Sequence, residues 1–196
     1  TRFKCDWSSD VCSSDLLIPS VSSERRSYVP IGFMQPDVIV SNLVYVVADA
    51  TLFHFGIMTS AMHNAFMRFT CGRLKSDFRY SNTIVYNNYP WPGFAGEPLS
   101  DKQHHAIEYA AQCVLDSRAQ FAGASLADLY DPLTMPAALL KAHHKLDAAV
   151  DAAYVPSGGK KTYTSNAERV AFLFDLYQRI TSLLPPPNVK SRKARR

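Results

Sequence analysis

The 196-residue chain has no apolar run long enough to cross a bilayer, because a spanning helix needs about 20 consecutive apolar residues. It is poor in cysteine: Cys5, Cys12, Cys71 and Cys113 show no paired spacing of a zinc site or a disulfide framework. A reduced, cytoplasmic setting is therefore the expectation. The visible text has no initiator methionine, and residues 1–16 follow neither a signal-peptide nor a transit-peptide plan. Catalytic signatures are missing too. There is no His-Glu-x-x-His and no Gly-x-Ser-x-Gly, and Ser157-Gly158-Gly159-Lys160-Lys161 lacks the first glycine and the preceding strand of a phosphate loop, which leaves it a mobile connection. His104-His105 and His143-His144 are adjacent pairs, whose side chains diverge by roughly 100° on a helix and do not share an ion. Asp147 and Asp151, four apart, read as a solvated helix face rather than a catalytic pair. No catalytic residue and no metal ligand is assigned.

Charge of one sign is also not in excess over most of the chain. The formal net charge is +4, but five of the 21 cations lie in the last seven residues, leaving 16 against 17 anions. One local concentration survives: Arg68, Arg73, Lys75 and Arg79 stand against Asp77 alone between residues 68 and 79. The segment Arg73-Leu74-Lys75-Ser76-Asp77-Phe78-Arg79-Tyr80-Ser81 alternates cations, an acid, aromatics and small polar residues. That mixture suits groove recognition, which needs phosphate holders and side chains that reach base edges. A solvated helix-to-strand connection would have the same composition, and residue types alone do not separate the two.

Taken in order, Cys5 to Leu16 contains a near repeat, Trp7-Ser8-Ser9-Asp10 then Cys12-Ser13-Ser14-Asp15. It resembles a translated sequencing-adapter remnant, so residues 1–16 are expected to be non-native, with the native protein visible from near Leu17 and continuing upstream. From Leu17 to Phe33, short apolar pieces broken by proline and glycine predict short strands and turns, with Arg25 and Arg26 able to donate to phosphates from a sheet edge or simply decorating a turn. Val38-Ile39-Val40 and Leu43-Val44-Tyr45-Val46-Val47 are β-branched runs of a small sheet. Apolar residues from Phe53 to Phe69 then recur at three and four, predicting one long helix from Ala50 to about Cys71, capped by Asp49, stopped by Gly72 and bent at Gly56 or Thr59-Ser60. His54 and His63 on it are packing or surface residues. Asn82 to Asn87 reads as a strand, and two prolines and a glycine in Pro90-Trp91-Pro92-Gly93 place a domain boundary before Pro98.

The remainder is helical. Ser100 with Gln103 and Ser165 with Glu168 make capping boxes, and Thr134 caps a helix with Pro136 near its first turn. Pro185-Pro186-Pro187 ends order, leaving residues 185–196 as a disordered basic tail. The fold class is α+β: a small sheet with one long helix over residues 17–93, then a helical domain over residues 94–184.

Four separated stretches carry a family resemblance: Ser22 to Gly32, Gly72 to Ser81, Ile84 to Pro92, and Leu126-Ala127-Asp128-Leu129-Tyr130-Asp131-Pro132. Together, and in this order, they resemble the C-terminal third of MmeI-like, type IIL adenine-specific DNA methyltransferases of restriction-modification systems, from about Leu17 to Leu184. The resemblance implies an upstream methyltransferase domain that binds S-adenosylmethionine, often behind an endonuclease. This chain would then hold no cofactor itself, and its partners would be double-stranded DNA and that missing domain, with no membrane involved. Asn88-Tyr89-Pro90-Trp91 only superficially matches the family's Asn-Pro-Pro-Tyr catalytic motif, and no catalysis is assigned to it. The resemblance places base-reading side chains at Lys75 and Asp77, and chemistry agrees: lysine donates to the guanine acceptors while aspartate accepts from the cytosine amine. Arg73 and Arg79 more naturally hold phosphates, as do Arg25 and Arg26, with Tyr80 buttressing the loop. Two other readings stay open: a stand-alone DNA-binding specificity subunit acting with a separate methyltransferase chain, and a small enzyme with an unrecognised site.

Overall fold

The computed structural model describes residues 15–35, 39–94 and 98–182. Residues 1–14 of the expected adapter remnant, and the whole of the expected basic tail from residue 185, lie outside the described residues. The architecture is α+β. Strand β1 (Asp15–Pro19) is the centre of a three-stranded antiparallel sheet between β3 (Gly32–Met34) and β4 (Val44–Val47). Its alternation is clear: Leu16 and Ile18 are buried and Leu17 faces partly outward, as expected for a sheet with one covered face. The strand begins at Asp15, and Leu16 pairs with both Phe33 and Val47.

After Ser20 the chain passes directly into a second three-stranded sheet, in which β6 (Asp77–Arg79) lies between β2 (Val21–Ser22) and β5 (Gly72–Leu74). Ser20 joins the two sheets: its N–H donates to the Leu43 carbonyl and its own carbonyl accepts from Tyr80 N–H, both at 2.8 Å. Ile39 and Val40 are outside any strand and Ile39 is 97% exposed, so these two do not form the strand their β-branched side chains predict; Val38 lies outside the described residues.

The single long helix is in fact two, α1 (Leu52–Thr59) and α2 (Ala61–Thr70), separated at Ser60. Ser60 is extended, closes α1 and caps α2, with its hydroxyl donating to the Ile57 carbonyl at 2.6 Å. A break costs backbone hydrogen bonds unless other groups replace them. Here the Asp147 carboxylate accepts from Ala61 N–H at 2.6 Å, and the Asn64 amide donates to the Thr59 and Ser60 carbonyls. The start differs as well: Thr51 is the N-cap, its N–H donating to His54 Nδ1 at 3.2 Å, whereas Asp49 has a positive φ of 52°. Gly56 does not bend the helix; it lets α1 approach the helical region, where an added Cβ would lie 2.8 Å from Ile107 Cγ2.

The strand expected over Asn82–Asn87 is a π-helical turn, Asn82–Tyr86. Ser81 caps it, and the Asn88 amide donates to the Thr83 and Ile84 carbonyls at 2.8 and 3.0 Å. Local side-chain bonds of this kind override a β-branched run that has no neighbouring strand to pair with.

The helical portion comprises α3 (Asp101–Ala119), the short α4 (Leu126–Leu129), α5 (Ala137–Ala153) and α6 (Asn166–Thr181). Ser100 and Gln103 form the expected box, and Ser165 accepts from Glu168 N–H, while the Glu168 carboxylate reaches Thr164 N–H instead of the cap residue. Pro136, not Thr134, stands at the N-cap of α5; Thr134 Oγ1 donates to the Asp128 carbonyl at 2.7 Å. Ser125 caps α4, its hydroxyl accepting from Asp128 N–H while the Asp128 carboxylate accepts from Ser125 N–H. The connection Val155–Ser157 is a 3-10 turn followed by Gly158 at φ 90°, and Arg179 donates to the Ser157 carbonyl, so it is tied down rather than loose. Helices α1 and α2 pack on α3, α5 and α6, and one hydrophobic cluster runs from Leu16 through Phe55 to Leu176. Among the described residues no helix is long and apolar enough to cross a membrane.

Candidate nucleic-acid interface

The stretch Arg73–Ser81 is a β-hairpin. Strands β5 and β6 pair Gly72 with Arg79, Arg73 with Phe78 and Leu74 with Asp77, leaving Lys75-Ser76 as a two-residue turn. Lys75 has φ 56°, a conformation in which glycine is unstrained and a lysine costs about 1 kcal/mol or more. It is exposed at the hairpin tip, and Asp77 is half-buried at the first position of β6.

The pleat sorts the remaining residues onto two faces, since successive side chains of a strand alternate and paired residues share a side. Asp77 and Arg79 lie on one face; Arg79 is exposed, and its cross-strand partner Gly72 puts no side chain beside it. Arg73 and Phe78 lie on the other. Phe78 is buried between two guanidinium groups, Arg73 at 4.0 Å and Arg68 at 4.8 Å from its ring centre. Arg73 is already engaged: its Nη1 donates to the Ser76 carbonyl at 2.6 Å and to the Glu24 carboxylate at 3.0 Å. It braces the turn from below. Arg73 and Arg79, paired in the sequence reading as phosphate holders, are thus on opposite faces of the hairpin.

Tyr80 is 3% exposed, with its hydroxyl 3.3 Å from His63 Nε2 and its ring tilted against Tyr45. Burial pushes its phenol pKa up, and burial lowers that of His63 to about 4. Both are neutral at physiological pH and form the apolar floor beneath the hairpin. Arg25 and Arg26 sit in the turn after β2, where Arg26 N–H donates to the Ser23 carbonyl at 3.2 Å. Their backbone is held by Arg68, whose guanidinium donates to the carbonyls of Glu24 and Arg26. Sequence reasoning counted Arg68 in the local cation cluster but gave it no role; its helical position hid that it faces this turn.

Behind the hairpin, a buried polar seam joins the sheet region to the helices. Asp147 and Asp151 are 8% and 3% exposed, which corrects the reading of them as a solvated face. Asp147 accepts from the Tyr28 hydroxyl at 2.6 Å as well as from Ala61 N–H, and Asp151 receives both Nε and Nη2 of Arg169 at 3.1 and 2.7 Å. Burial raises both carboxyl pKa values above the usual range, opposed by these donors. Arg118 donates Nη1 to the Ile31 carbonyl at 2.8 Å and Nε to the Tyr130 hydroxyl, which lies 2.7 Å from His143 Nε2. His143 is fully buried and stacks on Tyr28, whereas His144 is exposed. The Asn88-Tyr89-Pro90-Trp91 stretch belongs to the same seam. The Tyr154 hydroxyl donates to the Pro90 carbonyl at 3.0 Å and lies 2.8 Å from the Tyr89 hydroxyl, and Tyr177 donates to the Asn88 side chain. All three features are packing.

The chain that carries this hairpin is similar to known proteins. Residues 2–93 match the family model described as MmeI, target recognition domain, and residues 99–185 match MmeI, C-terminal domain. The chain is 40% identical over 181 residues to DNA methyltransferase A of Bacillus subtilis (strain 168), covering 92% of this chain and 20% of that protein. It is similar in structure to the type IIL restriction-modification enzyme MmeI solved in complex with DNA, with a TM-score of 0.79 and 47% identity over 87% of this chain and 22% of that one. The chain therefore spans about a fifth of the length of the relatives it matches. It belongs to the MmeI family, of which it carries the target recognition domain followed by the C-terminal domain.

Proposed function

We propose that this chain reads DNA sequence for a site-specific, S-adenosylmethionine-dependent adenine DNA methyltransferase of a restriction-modification system, whose catalytic and cofactor-binding domain precedes it in the same protein. The single observation that carries the reading is Lys75. A lysine held at positive φ on an exposed hairpin tip sacrifices stability that a glycine would keep. Strain of this kind is retained where the side chain itself is needed. With Asp77 two residues on, the hairpin offers a donor for guanine and an acceptor for the cytosine amine, which suits one G·C pair in the major groove.

Arg79, exposed on the Asp77 face, holds an adjacent phosphate, and Arg25 and Arg26 hold others from the turn after β2. Arg73 and Tyr80 support the hairpin from within, the former through Glu24 and the Ser76 carbonyl.

Replacing Lys75 and Asp77 together in the full-length protein changes the methylation preference at one base pair. Arg79→Ala instead weakens binding to all duplexes alike and lowers the salt slope by about 0.9. An unchanged methylated site in the double variant, read by sequencing modified DNA, would refute the base-reading assignment.

A further inference from the structure

Between the turn after β2 and helices α2, α5 and α6 lies an open cavity of about 470 Å³, walled by both domains. Arg25, Arg26 and Arg68 line it from the target recognition domain, and His144, Asp147 and Arg169 from the C-terminal domain. Its charges do not cancel. Arg169 is satisfied by Asp151 at 2.7 Å, and the Glu24 carboxylate is taken by Arg73. Asp147 is turned toward Tyr28 and Ala61. Among the described residues, Arg25, Arg26 and Arg68 have no carboxylate within ion-pair distance. Arg68 is the most telling: it is half-buried, bonded only to two carbonyls, and both burial and the neighbouring Arg73 disfavour its charge.

We propose that this junction cavity is a phosphate site, occupied by a backbone phosphodiester of the bound duplex that the arginines of the target recognition domain hold against the wall formed by the C-terminal domain. Three arginines without a carboxylate partner among the described residues line the cavity, and guanidinium is the side chain best matched to phosphate oxygens. Asn166, the first residue of α6, is in the wall, so the positive end of that helix adds to the field. The cavity has the size of ordinary small-molecule sites, enough for a phosphodiester with its sugar.

The site is also connected to the hairpin. Glu24 gives its carbonyl to Arg68 and its carboxylate to Arg73, and the two arginines enclose Phe78. A phosphate on Arg68 therefore steadies the residue that supports the Ser76 carbonyl at the hairpin turn. This role rests on the reading of the chain as a DNA recognition unit, but not on Lys75 and Asp77 contacting bases.

The test uses the whole chain and a panel of short duplexes differing at single base pairs. Arg25→Gln/Arg26→Gln should lower the slope of log affinity against log salt by about 0.9, the value of one neutralised phosphate, without changing the ranking of duplexes. His144→Glu, on the exposed side of α5, introduces an anion from the other domain and should weaken binding to every duplex about equally. Circular dichroism melting confirms that each variant is folded, and His144→Glu stands alone as a test if the arginine pair does not fold. Binding of the His144→Glu variant as tight as the parent's overturns the proposal. A second arm titrates inorganic phosphate without DNA, followed by ³¹P NMR. Phosphate binding that the arginine variant abolishes, with the DNA salt slope unchanged, identifies a free-phosphate site and also overturns it. Lys75→Ala/Asp77→Ala, run in parallel, reports on base reading alone, so the two ideas fail separately.

Discussion

Lys75 and His63 show how much single positions are asked to do. Lys75 is strained and exposed; His63, beneath the same hairpin, is buried and held neutral with its pKa lowered to about 4. A lowered histidine pKa makes stability depend on pH in one direction. The unfolded state binds a proton below about 6.5 while the folded state does not, so the contribution is complete above that value and is lost as pH falls toward 4. The shift corresponds to about 3 kcal/mol. Urea unfolding at pH 7.5 and at pH 5 should show a marked loss at the lower value. His63→Gln should reduce that loss but not remove it, because His143 is also buried with its pKa pushed down. A pH dependence identical in parent and variant would show that His63 is not the neutral buried group described.

At the scale of elements, the pair α1 and α2 is the instructive case. The three-and-four apolar spacing correctly marks helix from Leu52 to Thr70, yet the break at Ser60 depends on Asp147, which accepts from Ala61 N–H and lies 86 residues beyond Ala61 along the chain. Gly56 is similar. In isolation a helical glycine is a weakness, and Ala would gain about 1 kcal/mol of propensity. The packing reverses the sign, because a Cβ there would sit 2.8 Å from Ile107 Cγ2 and 3.3 Å from Ala111 Cβ, both in fully buried residues. Overpacking of this kind costs about 1–3 kcal/mol. Gly56→Ala is therefore expected to lower the thermal midpoint; a rise would mean that α3 can move away. The π-helical turn at Asn82–Tyr86 completes the picture, a β-branched run held in a helical turn by Ser81 and Asn88 because no strand lies alongside.

At the scale of the whole molecule, the target recognition and C-terminal domains share one core. Phe55, Ile107, Leu146 and Leu176 belong to a single buried cluster, and the Asp147, Arg118 and Tyr154 bonds cross between the two portions. Neither half covers its own apolar face. Cleaving the chain between residues 94 and 98, or expressing the two halves separately, should abolish cooperative unfolding of each half and restore it on mixing. Amide hydrogen exchange gives the readout: independent protection in an isolated half would show that the shared core is dispensable. The same rigidity fits the proposed function, in which a hairpin that reads one base pair needs a body that holds it in register on the backbone.

The sequence by itself determined the family, the α+β class and the order of the two domains, and it pointed to residues 73–81, read there as a loop, as the place to look for base readers. These depend on local residue patterns and on motifs that stand in order along the chain. Tertiary structure decided which cations are free and which are spent. Arg73 and Arg79 look equivalent in the text, but the pleat sends them to opposite faces, and Glu24 neutralises only the first. Asp147 and Asp151 look solvated until α2 and Arg169 are packed on them. The cavity that gathers Arg25, Arg26, Arg68 and His144 spans more than a hundred residues of chain, and charge convergence over that separation exists only once the helices have closed against the sheet.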